Sequence, residues 1–190
     1  YEACLKKKGV RMNTTSFYMR ILRAVYNRAV EKGLTEQRYP FRHVYTGVEK
    51  TIKRAVSVKV IKKLKELDLS MKPSLDFARD MFLFSFYTRG MSFVDMAYLR
   101  KIDLQNGILT YRRRKTGQQL TIKWEKCMEE IICKYPSNKT DYLLPIIKVQ
   151  DNERKQYDNA LHLVNYRLKD LSKILKLQRP LTLYVARHSW

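Results

Sequence analysis

Apolar residues recur every three to four positions between residues 14 and 33, which is the spacing of one helix face. Residues 14–16 are threonine and serine, typical helix N-caps, and Gly33 is a typical helix stop. Residues before Gly9 have the composition of the end of an earlier helix. The pattern therefore predicts part of a small helical domain. The residues expected to face inward are Phe17, Ile21, Ala24 or Val25, and Ala29.

Helical spacing returns after Ser57, which is expected to cap a helix extending to Leu67. Pro73 suits the first turn of the next helix, and residues 73–86 are apolar nearly all round, which predicts a buried helix. A further helical stretch is expected around 93–99.

After residue 99 the period of the hydrophobic pattern changes to two residues, which is the period of a β-strand. Residues 108–113 and 120–124 alternate between apolar and polar, and Lys115-Thr116-Gly117 separates them, which predicts a hairpin with a basic turn. Two helices are expected at 125–135 and 157–177, with a short extended piece at 142–145. The predicted fold class is mainly α with a small antiparallel β-sheet (α+β).

The charge of the chain predicts a polyanionic partner. The chain has 39 Lys and Arg against 18 Asp and Glu, a net charge of +21. Such an excess favours nucleic acid, although a solvated, highly soluble surface is the alternative. No apolar run is long enough to span a bilayer and no stretch is typical of a membrane-surface helix. The odd number of cysteines, without metal-ligand spacing, indicates a reducing cytosol.

Basic residues also dominate a stretch without periodicity between residues 39 and 55. We interpret it as a linker that follows an anion; an ordinary charged connector is equally consistent with the sequence. Its basic residues are Arg42, Lys50, Lys53 and Arg54.

A second candidate anion site lies at the end of the sequence. Thr182 is expected to cap a helix that carries Arg187 and His188. Guanidinium and imidazole donors close to a helix N-terminus suit a phosphate. A helix-end ion pair is the alternative role for Arg187.

Taken in order, three segments resemble the tyrosine recombinases (phage-integrase family), particularly integrases of Bacteroidetes mobile elements. Residues 86–99 resemble the first box, in which an arginine precedes an acid and a leucine. Residues 111–117 resemble the lysine-bearing β-turn. Residues 184–188 resemble the second box, His-x-x-Arg, with Tyr184 in the histidine's place.

This resemblance implies a domain organisation and a reaction. Residues 1–48 would be the C-terminal part of a helical core-binding (SAM-like) DNA-binding domain, 49–55 a basic linker, and 56–190 most of the catalytic domain. The family cleaves and rejoins double-stranded DNA at specific sites through a 3′-phosphotyrosyl intermediate, without metal or cofactor. The implied protein integrates or excises a mobile element and is DNA-associated in a bacterial cytoplasm.

Individual roles follow from the same resemblance. Arg187 would stabilise the phosphate, and Lys115 would protonate the leaving 5′-oxygen. Tyr184 would donate a hydrogen bond, or be only a core aromatic, and His188 adjoins the box with a less defined role. Arg112, Arg113 and Arg114 would contact DNA, and Arg113 or Arg114 is the alternative to Lys115.

The first box departs from the family pattern. Three residues before Asp95 stands Ser92, where the family has its arginine. Positions three apart share a helix face, so we expect Arg89 to supply the missing charge, with Arg100 as the other candidate.

The second departure concerns the nucleophile. None of the 13 tyrosines follows the second box, so the 190 residues are expected to be an inactive, C-terminally truncated fragment. Family members act as tetramers on DNA, whereas the fragment is expected to be monomeric. The rival hypotheses are a non-catalytic DNA-binding protein that retains the fold and an RNA-binding or ribosomal protein.

Overall fold

The computed structural model describes residues 1–50, 54–135 and 139–190. The chain divides into two compact units, Tyr1–Ile52 and Lys53–Trp190. Lys53, which the sequence analysis assigned to DNA binding, lies outside the described residues.

The first unit contains helices α1 (Glu2–Lys7) and α2 (Met12–Glu31). Helix α2 begins earlier than predicted: Arg11 is its N-cap, and Thr15 and Ser16 are buried within its first turns. The prediction of an N-cap at 14–16 was wrong: these residues lie inside α2, and the hydroxyls of Thr15 and Ser16 donate to carbonyls outside the helix. The Ser16 hydroxyl, for example, donates to the Gly47 carbonyl over 2.5 Å.

The expected inward face of α2 was also wrong. Phe17, Ile21 and Val25 are 52%, 47% and 62% exposed, whereas Met19 is buried. Helix α1 has only six residues, and the segment up to residue 50 is held to α2 through polar side chains. The polar contacts that Ser16 and Arg23 make with this segment lie outside the face that the spacing predicted.

The second unit is built on three helices that the sequence predicted. These are α3 (Val58–Glu66), α4 (Pro73–Tyr87) and α5 (Phe93–Ala97). Pro73 occupies the first turn of α4, as expected, and the helix is buried over most of its length. Burial of Phe82, Phe84 and neighbouring residues makes α4 the centre of the core.

The predicted hairpin is confirmed as part of a three-stranded antiparallel sheet. Its strands are β1 (Leu104–Gln105), β2 (Ile108–Arg112) and β3 (Gln119–Lys123), in that order. Asn106 and Gly107 both have positive φ, so they form the tight turn that joins β1 to β2. Leu109 of β2 pairs with Ile122 of β3, and both face the core.

Three further helices complete the unit: α6 (Lys126–Cys133), α7 (Glu153–Ile174) and α8 (Leu183–Ser189). Helices α7 and α8 both pack against α4. The extended piece expected at 142–145 is reduced to one bridge between Tyr142 and Arg100, because Leu143 and Leu144 turn into the core. The fold class, mainly α with a small antiparallel sheet, is confirmed. Among the helices described, none combines the length and apolar character needed to cross a bilayer.

One cluster of charges is buried beside this core. Asp80 is 2% exposed and accepts from Arg79 Nε at 3.1 Å, Lys134 Nζ at 2.8 Å and the Tyr135 hydroxyl at 2.9 Å. Arg79 also pairs with Asp76. Removing one member of a buried ionic cluster leaves its partners desolvated and unpaired.

We therefore expect Asp80→Ala to lower the free energy of unfolding by about 3 kcal/mol. The matched control is Glu130→Ala, because Glu130 forms an exposed pair with Lys65 at 3.7 Å, and this variant should lose less than about 1 kcal/mol. Urea denaturation measures both. Equal losses in the two variants would contradict a stabilising role for the buried cluster.

Candidate functional site

The candidate site is formed where α8 packs against the loop that follows α4. Thr88 ends α4, and Arg89 and Gly90 then adopt left-handed conformations with φ of +57° and +75°. Arg187 Nε on α8 donates to the Gly90 carbonyl over 2.7 Å. A Cβ at position 90 would lie 2.9 Å from Arg187 Cα, so only glycine allows this approach.

Arg187 itself is half-buried. Among the described residues it forms no ion pair, so the helix-end ion pair considered above is not its role. Because Nε is bound to Gly90, the two terminal nitrogens of the guanidinium remain as donors for an anion.

The loop continues into α5 through Ser92 and Asp95. Ser92 is the N-cap of α5: its hydroxyl accepts from the Asp95 N–H and also hydrogen-bonds the Asp95 carboxylate. The other carboxylate oxygen accepts from the Arg114 N–H over 2.9 Å. Asp95, 4% exposed, therefore connects the first box to the hairpin turn.

The expectation that Arg89 and Ser92 share a helix face was wrong. Helix α4 has ended before Arg89, and Ser92 caps the next helix, so the two lie on opposite sides of a left-handed turn. Arg89 is exposed, with its guanidinium carbon 5.9 Å from the ring centroid of Trp190, beside the end of α8. Arg100 lies farther along, exposed, at the start of a 3-10 turn.

The basic turn of the hairpin is closed by its own backbone. Arg113 exchanges hydrogen bonds with Gln118 and Gly117, each 2.8 Å long. Lys115 is exposed at the tip, and no ion pair of Lys115 occurs in the described part of the chain.

The three arginines of this turn have different surroundings. Arg112 is exposed and approaches the Gly117 carbonyl, Arg113 is half-buried, and Arg114 places its guanidinium 3.9 Å above the Tyr98 ring. Sequence reasoning treated them as equivalent and gave Tyr98 no role, because only the fold brings Tyr98 under the turn.

On α8, Tyr184 and His188 form a pair one helical turn apart. Their ring centroids are 4.4 Å apart in an edge-to-face arrangement, and Tyr184 is 62% exposed. Such exposure excludes the core-aromatic interpretation of Tyr184.

Ser189 is a residue that sequence reasoning missed. Its hydroxyl accepts from the Val56 N–H over 2.9 Å and donates to the Val185 carbonyl over 2.8 Å. This ties the start of the second unit to α8, two residues after the exposed Arg54. The contact spans 133 residues, and a serine at a helix end gives no sequence signal of it. Arg42 and Lys50 are exposed residues of the first unit.

Tyr111 of β2 lies beneath the site and responds to its charges. Burial, the largest cause, and nearby Asp95 raise the pKa of this phenol, Arg113 and Arg187 lower it, and together they bring it to about 12. One side chain therefore interacts with all three segments that the sequence singled out. Among residues 1–50, 54–135 and 139–190, no three His, Cys, Asp or Glu residues group as metal ligands would.

The close approach at Gly90 leads to a prediction about stability. Gly90→Ala combines an unfavourable left-handed φ with a clash against α8 and should lower the unfolding free energy by about 2–3 kcal/mol. Gly107→Ala is the matched control, since Gly107 has φ of +72° and open space around its Cα; it should cost about 1 kcal/mol. Thermal unfolding of both variants checks this, and equal losses would show that α8 is not held at Gly90.

The pKa of Tyr111 generates a second prediction. A phenol with a pKa of 10.0 when unfolded and about 12 when folded stabilises the fold in its neutral form. That contribution is complete below pH 10 and is lost as the pH rises to 12. The wild type should therefore lose unfolding free energy relative to Tyr111→Phe across this window, as measured by urea denaturation at each pH. A difference independent of pH would contradict the raised pKa.

Comparisons with known proteins agree with this architecture. No family model and no curated protein matches the chain. Crystal structures do match: a lambda integrase (75–356) dimer bound to a COC′ core site has 13% identity and a TM-score of 0.69 over 98% of this chain and 67% of that one. Another lambda integrase dimer on a COC′ core site gives 11% identity and a TM-score of 0.69, over 98% of this chain. This chain spans 53% of that second chain.

A crystal structure of XerA recombinase aligns over 97% of this chain, with 17% identity and a TM-score of 0.49. Because the two lambda integrase matches are only 13% and 11% identical to this chain, they show similarity of fold alone. The chain has the fold of lambda integrase, a predominantly helical α+β fold with a small antiparallel sheet.

Proposed function

We propose that the chain belongs to a tyrosine recombinase and contributes the phosphate-binding part of an active site that cleaves and rejoins double-stranded DNA. The observation that carries the proposal is the Arg187–Gly90 contact, which joins the second box to the first. The fold of lambda integrase and the net charge of +21 support it.

Arg187 is the residue best suited to the transferring phosphate. Its Nε is fixed by Gly90, so the planar fork is oriented before an anion arrives. In the reaction a tyrosine hydroxyl attacks phosphorus, the bond to the 5′-oxygen breaks, and negative charge builds on the non-bridging oxygens. Donors aimed at those oxygens lower the barrier, each by several kcal/mol.

Lys115 has the role of general acid in this proposal. The departing 5′-oxygen must take up a proton to leave as a hydroxyl, and an ammonium at the tip of a turn can deliver it. The exposure of Lys115 and the absence of an ion pair in the described residues leave its ammonium available.

Arg89 supplies the positive charge that Ser92 does not. It approaches the site from the left-handed turn next to Gly90 and lies near Trp190 rather than above Ser92. Tyr184 and His188, stacked edge to face, present a phenol and an imidazole on the exposed side of α8, where they can hydrogen-bond a phosphate oxygen.

The finer assignments belong to the same proposal. Residues 1–48 act as part of a core-binding domain, and Arg42, Lys50, Lys53 and Arg54 contact the DNA backbone together with Arg112 and Arg113. The protein serves the integration or excision of a bacterial mobile element and assembles as a tetramer on DNA in the cytoplasm. Both lambda integrase structures are of dimers bound to a core site, which supports the DNA partner.

A non-catalytic DNA-binding protein is the second candidate, favoured by one observation. The Ser92 hydroxyl is committed to Asp95 and offers no charge where the family has an arginine. This candidate shares the DNA binding but not the chemistry.

DNA binding is tested through its dependence on salt. Each phosphate contact contributes about 0.9 to the slope of log K against log salt. Arg187→Gln should therefore flatten the slope for a nicked duplex by about 0.9, measured by fluorescence anisotropy. Arg154→Gln is the control: Arg154 is an exposed α7 residue paired with Asp158, and its loss should leave the slope unchanged. A wild-type affinity insensitive to salt would contradict the proposal.

Chemistry is tested on the same nicked duplex. We expect the 190 residues alone to form no protein–DNA band that survives SDS, because none of their 13 tyrosines follows Arg187. A surviving band would contradict this expectation and make one of the 13 tyrosines the nucleophile. Adding Arg89→Ala to the binding assay tests the substitute charge, and an unchanged salt slope would remove Arg89 from the site.

A further inference from the structure

We propose that Arg114 is a positioning residue that anchors the hairpin turn on Tyr98 and so aims Lys115, and that it is not a phosphate ligand. The anchoring is independent of the proposed function, whereas the consequence for Lys115 rests on it. Sequence reasoning had placed Arg114 with Arg112 and Arg113 as a DNA contact.

The backbone of Arg114 is the first part of the anchor. Its N–H donates over 2.9 Å to a carboxylate oxygen of Asp95, which is 4% exposed. A charged acceptor in a buried position makes a strong hydrogen bond, and losing it would leave the carboxylate without one of its donors. The residue directly before Lys115 is therefore fixed to the first box.

The side chain of Arg114 is the second part. Its guanidinium lies 3.9 Å above the centre of the Tyr98 ring, within the range of a cation–π contact. Arginine suits this position because its flat, weakly hydrated group stacks on a ring face. Stacking covers one face of the guanidinium and orients it along the ring.

Tyr98 is a rigid base for this contact. Its ring packs edge-on against Tyr142 at 5.7 Å and next to Tyr157 at 6.4 Å, and Tyr157 in turn packs against Phe93 at 5.8 Å. These rings connect the turn to the buried end of α5, where Phe93 is 6% exposed. The anchor is thus continuous from the core to the turn.

Lys115 depends on this anchor for its direction. The turn is closed by the backbone bonds of Arg113 and by the Arg112 side chain, 3.4 Å from the Gly117 carbonyl, and the tip from Arg114 to Gly117 is exposed. A long lysine side chain on an unanchored tip would sample many positions. Fixing Arg114 from both its backbone and its side chain limits where the Lys115 ammonium can lie.

Hydrogen exchange in the free chain tests the anchor itself. In Arg114→Gln and in Tyr98→Leu, exchange of the residue 114 N–H should accelerate by about two- to fivefold, the size expected for loss of an exposed cation–π contact. Tyr98→Phe keeps the ring and should retain the wild-type rate. Arg167→Gln is the control, because it removes an arginine from the Tyr166 ring, which is not part of the anchor, and it should leave the rate at the wild-type value. Unchanged exchange in both Arg114→Gln and Tyr98→Leu would overturn the proposal.

A second measurement separates positioning from phosphate binding. With a short nicked duplex of mixed sequence as the probe, acylation of each lysine is followed by mass spectrometry. We expect DNA to protect Lys115 in wild type and Tyr98→Phe but not in Arg114→Gln or Tyr98→Leu, and we expect Arg114→Gln added to Lys115→Gln to flatten the salt slope no further than Lys115→Gln alone. A slope flattened by about 0.9 with Lys115 still protected would make Arg114 a phosphate ligand and overturn the proposal.

The two measurements also separate this inference from the proposed function. If wild type fails to bind the duplex, the proposed function fails, and the exchange rates of the free chain still decide whether Arg114 and Tyr98 anchor the turn.

Discussion

The candidate site depends on the close approach of α8 to the loop after α4. Gly90 has no side chain and a left-handed φ, so Arg187 can lie directly against its backbone and bond its carbonyl. That one contact brings together residues 97 positions apart and orients a guanidinium with its terminal nitrogens available. Without it, the second box would be an ordinary amphipathic helix on the surface of α4.

Asp95, the acid of the first box, makes the second set of contacts that order the site. Asp95 is the buried negative charge beside the basic turn, yet its oxygens are occupied by Ser92 and by the Arg114 backbone. The carboxylate accepts hydrogen bonds from Ser92 and from the Arg114 N–H, and in the described part of the chain it forms no ion pair with an arginine side chain. A surplus of positive charge is thereby kept next to an ordered framework, which is the arrangement that an anionic transition state requires.

Local sequence patterns predicted those parts of the fold that local physics determines. Pro73 marked the start of α4, and the change from helical spacing to alternation marked the hairpin between β2 and β3. The predictions were wrong where the structure depends on contacts between residues that are distant in the sequence. Phe17 has the spacing of a core residue but is 52% exposed. Arg89 lies in a left-handed turn and not on the helix that the spacing predicted.

The site residues divide in the same way. Arg187 and Lys115 are proposed as site residues from their residue types and motifs, whereas the contacts of Tyr98 and Ser189 are tertiary and leave no local pattern. We propose that the Arg187–Gly90 contact builds a phosphate site for DNA. A crystal structure of the chain with a nicked duplex is the decisive test, and we expect a backbone phosphate within hydrogen-bond distance of the terminal nitrogens of Arg187. DNA bound elsewhere, with that guanidinium facing only solvent, would contradict it.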